Sequence, residues 1–288
     1  MFWPIVKAGA LAVAFVVTAC APATEPPAED PPPPIRSHED LPREFQPHPH
    51  FDLTLGELYE MIAPEPVEVQ QPIRSAPGAF LEAVAAVLGQ EDDLMILVDK
   101  RTLLTADYEP EDLVSLEQYR SQLVLNRENM QLRAILMPDL LAMVEAARQD
   151  GITLDISSAY RSYSYQTWLF DFWVERLGQE QAERSSARPG ASQHQLGTAI
   201  DFGSITGPFA EHPAGRWLAR EAHHFGFSLS YPRNLEEITG YIFEPWHFRY
   251  VGRPGTALEQ RFFGGIQQFM MEFWYYHGDT LRARYTRR

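Results

Sequence analysis

Between Ala21 and His50 the chain reads A-P-A-T-E-P-P-A-E-D-P-P-P-P-I-R-S-H-E-D-L-P-R-E-F-Q-P-H-P-H. This run of prolines constrains the fold more than any other feature. Proline has no amide hydrogen and clashes with a preceding helical turn, so neither a helix nor a sheet interior forms at this density. The expectation for residues 21–50 is an extended, solvated spacer rising about 3.1 Å per residue, with His38, His48 and His50 exposed in or beside it. A packed core must therefore come from the residues that follow, which are enough for one sizeable domain with extensions.

Ahead of the prolines, M-F-W-P-I-V-K-A-G-A-L-A-V-A-F-V-V-T-A-C carries one lysine, a short apolar run and the chain's single cysteine, Cys20. The run is short for a membrane span and suits the core of a secretory signal over residues 1–20. Its close, V-T-A-C, resembles the lipobox of bacterial lipoproteins, which implies acylation at Cys20, export, and a lipid anchor in the cell envelope. One cysteine excludes an internal disulfide and a cysteine-rich zinc site. Net charge is −15, with 25 acids against 10 bases in residues 1–150 and 14 of each thereafter. No basic stripe exists to neutralise phosphates, so nucleic acid is excluded as a partner.

Beyond the spacer, residues 51–89 show helical spacing and end in a glycine stop. L-M-I-L-V-D (94–99) reads as a short strand. An amphipathic helix is expected over 130–150 with Gly151 as its stop, a half-buried strand over 152–160, and a helix around 164–178. T-A-I-D-F after Gly197, a helix near 214–226, and strands near 227–231 and 246–251 follow. This mixture does not alternate as a doubly wound sheet would; it fits an α+β domain with a small, mostly antiparallel sheet and flanking helices. His212 reads as a helix-start residue, and His223 and His224 as packing or surface residues.

Three segments carry chemistry. In S-Q-H-Q-L-G-T-A-I-D (192–201), strand alternation puts Ala199 and Asp201 on one face, and His194 stands just before a Gly197 turn that can bring it back over Asp201. A capped turn with a salt-bridged aspartate explains that segment alone equally well. In E-P-W-H-F-R-Y (244–250), His247 and Arg249 share a face. Regular alternation would separate Glu244 from His247, but Pro245 breaks regularity between them. Together the segments offer His194, Asp201 and His247 as three nitrogen and oxygen ligands, the pattern of a catalytic zinc with an open position, and Glu244 as a base beside it. H-E-x-x-H is absent from the sequence. In S-S-A-Y-R-S-Y-S-Y-Q (157–166), Arg161 at a strand–helix junction is suited either to gripping a carboxylate or to a surface ion pair.

S-A-Y-R-S-Y-x-x-Q, S-x-H-x-x-G-x-A-x-D and E-P-W-H-F-R-Y, in this order, resemble the VanY-type D-alanyl-D-alanine carboxypeptidases of the LAS group of zinc peptidases. The resemblance covers about residues 90–265, including L-V-D-K-R-T-L-L-T-A-D-Y-E-P-E-D-L-V. It implies an LAS-metallopeptidase-like fold, zinc on His194, Asp201 and His247, Glu244 as catalytic base, and Arg161 at the substrate or the developing oxyanion. It further implies that Gln166 and Ser192 hold the terminal D-alanine, and that a peptidoglycan stem peptide is the substrate. An L,D-carboxypeptidase or an endopeptidase would use the same ligands, and a non-catalytic peptidoglycan-binding lipoprotein would have no need of Glu244. Residues 51–89 are then an accessory segment and 266–288 an aromatic and basic extension expected to dock on the domain. The chain is expected to act as a monomer.

Overall fold

The computed structural model describes residues 42–286. Cys20, the signal-like segment and most of the proline-rich stretch lie outside them. Residues 42–50 do not behave as free spacer: His48 is buried, its Nε2 2.7 Å from the Glu82 carboxylate, and its ring packs on Phe51. The expectation of an exposed His48 is corrected here, because a carboxylate and an aromatic edge replace its water.

Three helices follow, α1 (Leu55–Met61), α2 (Val67–Ser75) and α3 (Pro77–Leu88). Thr54 opens α1 with a complete capping box to Glu57, an arrangement whose loss costs about 1 kcal/mol. A two-stranded ribbon pairs β1 (Leu113–Ser115) with β3 (Gln131–Arg133). The main sheet has five strands: β2 (Val124–Leu125), β4 (Asp155–Ser158), β5 (Ala199–Phe202), β6 (Phe227–Leu229) and β7 (His247–Tyr250), in spatial order β2-β4-β5-β7-β6. Only β2 runs parallel to its neighbour; the other pairs are antiparallel. The remaining helices are α4 (Met137–Gln149), α5 (Tyr163–Leu177), α6 (Gln179–Ser185), α7 (Pro213–Glu221), α8 (Glu236–Thr239), α9 (Gly252–Phe262) and α10 (Gln267–Arg284). His212 caps α7 by accepting from the Ala214 amide, as its position before the helix suggests.

Two differences from the pattern-based reading have clear causes. The run 94–99 is not a strand, because the carbonyls of Leu94 and Ile96 accept from the buried Arg249 guanidinium and the Asp99 carboxylate takes the amides of Arg101 and Thr102. The helix expected over 130–150 begins only at Met137, since Gln131–Arg133 pairs with β1.

Alternation sorts the central strands as the sequence implies. Ile200, Phe202, Phe248 and Tyr250 join Leu140, Met143, Ile156 and Trp217 in the core beneath the sheet. Ala199, Asp201, His247 and Arg249 therefore occupy the opposite face. A second core gathers the segment after the prolines, α9 and α10: Phe80 meets Phe262 and Phe273 edge-on at 5.3 and 5.7 Å.

Glu259 on α9 is 1% exposed, and its Oε2 has no hydrogen-bond partner among the described residues. Burial pushes its carboxyl up to about 7. The folded chain thus holds a proton that the unfolded chain releases near 4.5; this contribution is fully present below that value and is lost as pH rises toward 7. The stability gap between Glu259→Gln and the wild type is expected to widen in the variant's favour by about 3 kcal/mol between pH 4.5 and 8. Denaturant unfolding at the two pH values measures it; a constant gap would show that Glu259 stays ionised.

Candidate metal centre

The site is built on the polar face of the sheet where β5 and β7 pair. In their register Asp201 stands directly opposite His247 and Ala199 opposite Arg249. His194 reaches the same point from a short 3₁₀ turn, Gln193–Leu196, opened by the Ser192 hydroxyl and closed by Gly197 at φ 69°. Such a φ is costly for any side-chain-bearing residue. A β-carbon at Gly197 would also lie 2.9 Å from Arg133 Cγ and 3.0 Å from Leu113 Cδ2.

His194, Asp201 and His247 are all buried, and one donor atom from each lies within 4.8 Å of the other two. His194 Nε2 is 3.2 Å from Asp201 Oδ2, and His247 Nδ1 is 3.1 Å from Asp201 Oδ1. The imidazoles meet edge-on, with centroids 4.8 Å apart. Outer partners decide which nitrogen each ring presents. His194 Nδ1 donates to the Ala159 carbonyl at 2.6 Å, which leaves the buried Nε2 without a hydrogen bond. His247 Nε2 donates to Gln193 Oε1 at 3.2 Å, which leaves Nδ1 facing Asp201. Two imidazoles with their inner nitrogens turned toward one carboxylate form a donor set that suits a divalent zinc-like ion.

The electrostatics agree. Burial, with the Arg161 guanidinium nearby, pushes His194 down to about 4, so the ring is neutral near pH 7. Burial alone would raise Asp201, but the imidazoles of His194 and His247 outweigh it and hold the carboxyl well below the ordinary range.

Glu244 comes from the turn ahead of β7. The strand begins only at His247, whose amide donates back to the Glu244 carbonyl, so alternation does not apply across Pro245. The turn brings Glu244 Oε2 to 3.7 Å from His247 Nδ1. Burial and then the Asp201 charge push its carboxyl well above the ordinary carboxylate range.

Arg161, between β4 and α5, donates through Nη2 to Asp201 at 3.4 Å and through Nη1 to Gln166 Oε1 at 3.0 Å. The alternative of a surface ion pair falls, because the guanidinium is mostly buried at the cleft wall. Ser192 also lines the cleft. Gln166 does not: it is fully buried, with its amide given to the Ala187 carbonyl and its oxygen to Arg161. Direct contact of Gln166 with a substrate is thereby corrected to a contact with Arg161.

Pattern reading missed Gln193, Ser230 and Gln267. Ser230 Oγ donates to Gln193 Oε1 at 2.7 Å, and Gln193 Nε2 donates to Gln267 Oε1 at 3.0 Å, tying the start of α10 to the ring of His247. Only the place of Gln193 between Ser192 and His194 hinted at it. Gln193, His194, Asp201, Glu244 and His247 line a cleft of about 560 Å³ whose walls include Tyr165, Leu169, Trp173, Tyr231 and Tyr241.

The chain is also similar to known carboxypeptidases. Residues 129–253 match the family model described as VanY, D-alanyl-D-alanine carboxypeptidase. The chain is 35% identical over 175 residues to the putative carboxypeptidase YodJ of Bacillus subtilis (strain 168), covering 59% of this chain and 64% of that protein. It spans just under two thirds of such curated relatives' length. Among solved structures, the LdcB LD-carboxypeptidase is 32% identical with a TM-score of 0.56, over 63% of this chain and 86% of that one. A mutant of the vancomycin-resistance D,D-pentapeptidase VanY, in complex with Zn(II), is 29% identical with a TM-score of 0.53, over 63% and 99%.

Proposed function

Since the chain belongs to the VanY family of D-alanyl-D-alanine carboxypeptidases, we propose that it is a zinc-dependent carboxypeptidase that removes the C-terminal D-alanine from peptidoglycan stem peptides. The observation that carries this reading is the placement of Glu244 Oε2 3.7 Å from the ligand nitrogen of His247 at the floor of an open cleft. His194 Nε2, Asp201 and His247 Nδ1 hold the zinc. Zinc in such a site polarises a scissile carbonyl and acidifies water. Glu244 accepts the water proton at its carboxylate and delivers it to the departing amine nitrogen, so that peptide and water become a shortened peptide and free D-alanine. Arg161, held by Gln166 and Asp201, pairs with the substrate's terminal carboxylate or the developing oxyanion.

The test is mass spectrometry of stem pentapeptide and tetrapeptide after incubation with the protein, with and without chelator. Loss of D-alanine from the pentapeptide, abolished by chelator and restored by zinc, is expected. Trimming confined to the tetrapeptide would transfer the reading to the L,D specificity named for LdcB, and no product with zinc present would overturn it.

The location is proposed from the sequence: export and a lipid anchor on Cys20 in the cell envelope, where this substrate lies. Cys20→Ser is expected to move the protein from the membrane fraction to the soluble one. Unchanged fractionation would count against the anchor.

A further inference from the structure

Helix α5, Y-S-Y-Q-T-W-L-F-D-F-W-V-E-R-L, is rich in aromatic residues, yet only Gln166 and Phe170 of its fifteen residues are buried. Apart from Phe170, several of its rings pack on each other along the surface. Tyr165 and Trp168 lie 5.5 Å apart, Trp168 and Phe172 are stacked at 5.7 Å and 29°, and Phe172 meets Trp173 edge-on at 5.2 Å. Trp168 remains 57% exposed. A continuous aromatic surface of this kind, held in water, marks a binding face. At 100° per residue the ring arc runs without a break into Tyr165, Leu169 and Trp173, which line the catalytic cleft.

The flanks restrict what can lie there. Asp171 and Glu175, three and seven residues beyond Trp168, sit exposed beside it, while the Arg176 guanidinium lies over the Phe172 ring, 4.1 Å from its centroid. Arg176 thus covers Phe172 and leaves the Trp168 face open, edged by two carboxylates. A neutral pyranose fits it: the axial C–H face carries slight positive charge and suits the negative face of an aromatic ring, while hydroxyl and acetamido N–H groups at its rim donate to carboxylates.

Length agrees as well. With a rise of 1.5 Å per residue, Trp168 and Phe172 lie about 10 and 16 Å along the helix from Arg161 at the metal end. An extended stem of four or five residues spans about 13 to 18 Å. A stem whose last residue is at the metal therefore places its sugar-bearing end over these rings.

From this we infer that the open Trp168 face of this shelf binds the N-acetylated amino sugar that carries the stem peptide, so that the protein acts on glycan-linked stems in preference to free peptides. This rests on the carboxypeptidase reading for its context. The test compares free pentapeptide with the same peptide on its disaccharide, in wild type, Trp168→Ala and Trp168→Phe, together with binding of peptide-free N-acetylated glycan read by protein NMR. Wild type is expected to show a KM about tenfold lower for the linked substrate, the scale of one good stacking contact. Trp168→Ala should erase that advantage with less than a twofold change on free peptide, and Trp168→Phe should restore part of it. Equal losses on both substrates, or no loss on either, would overturn the shelf. Glycan binding is read without hydrolysis: if wild type cleaves neither substrate but binds glycan through Trp168, the shelf stands and the carboxypeptidase reading falls. If wild type binds no glycan, the shelf proposal falls and the rings serve another partner.

Discussion

Glu244→Ala is expected to retain a full equivalent of zinc while its kcat falls by about 10²–10⁴, the range that a positioned proton-transfer group contributes. The carboxylate is outside the three-donor cluster, and the turn that carries it is held by its backbone, with its amide donating to the Tyr231 carbonyl and its carbonyl accepting from His247. Deleting the side chain leaves the metal ligands in place. It also removes a buried carboxyl disfavoured by burial and by Asp201, so thermal stability should not fall. Elemental analysis and D-alanine release measured on one preparation check both halves. Turnover like that of the wild type would remove Glu244 from the chemistry.

His194→Ala is expected to give the opposite pairing: a folded protein that has lost both metal and activity. Asp201 would keep His247 at 3.1 Å and Arg161 at 3.4 Å, so the charge left behind is not orphaned. The lost donor is one of three, and zinc affinity should drop by more than the roughly 10–100-fold that loss of an outer hydrogen-bond partner costs. Competition with a chromophoric chelator measures it. Zinc held as tightly as in the wild type would exclude His194 from the donor set. Both substitutions are expected to lower hydrolysis, and metal content separates them.

Much of this was legible in the residues because it is local. Alternation assigns Asp201 and His247 to the polar face of their strands, glycines mark the ends of α4 and α5, and Gly197 marks the turn at His194. What was not legible depends on distant partners. Nothing near 94–99 signals that its carbonyls serve Arg249, more than 150 residues on. The link from Gln193 to Gln267 spans 74 positions. His48 looks like a spacer residue until Glu82 and Phe51 enclose it.

The sequence by itself determined the donor chemistry: two imidazoles, one carboxylate and a glutamate, with strand alternation assigning Asp201 and His247 to a face. Tertiary structure alone decided how those groups meet. The β5–β7 register, a matter of non-local pairing, set Asp201 opposite His247. The choice of nitrogen is likewise tertiary: Ala159 takes Nδ1 of His194 and Gln193 takes Nε2 of His247, so each ring turns its other nitrogen inward. An imidazole has two nearly equivalent nitrogens, and only the hydrogen bond made by one determines what the other can hold.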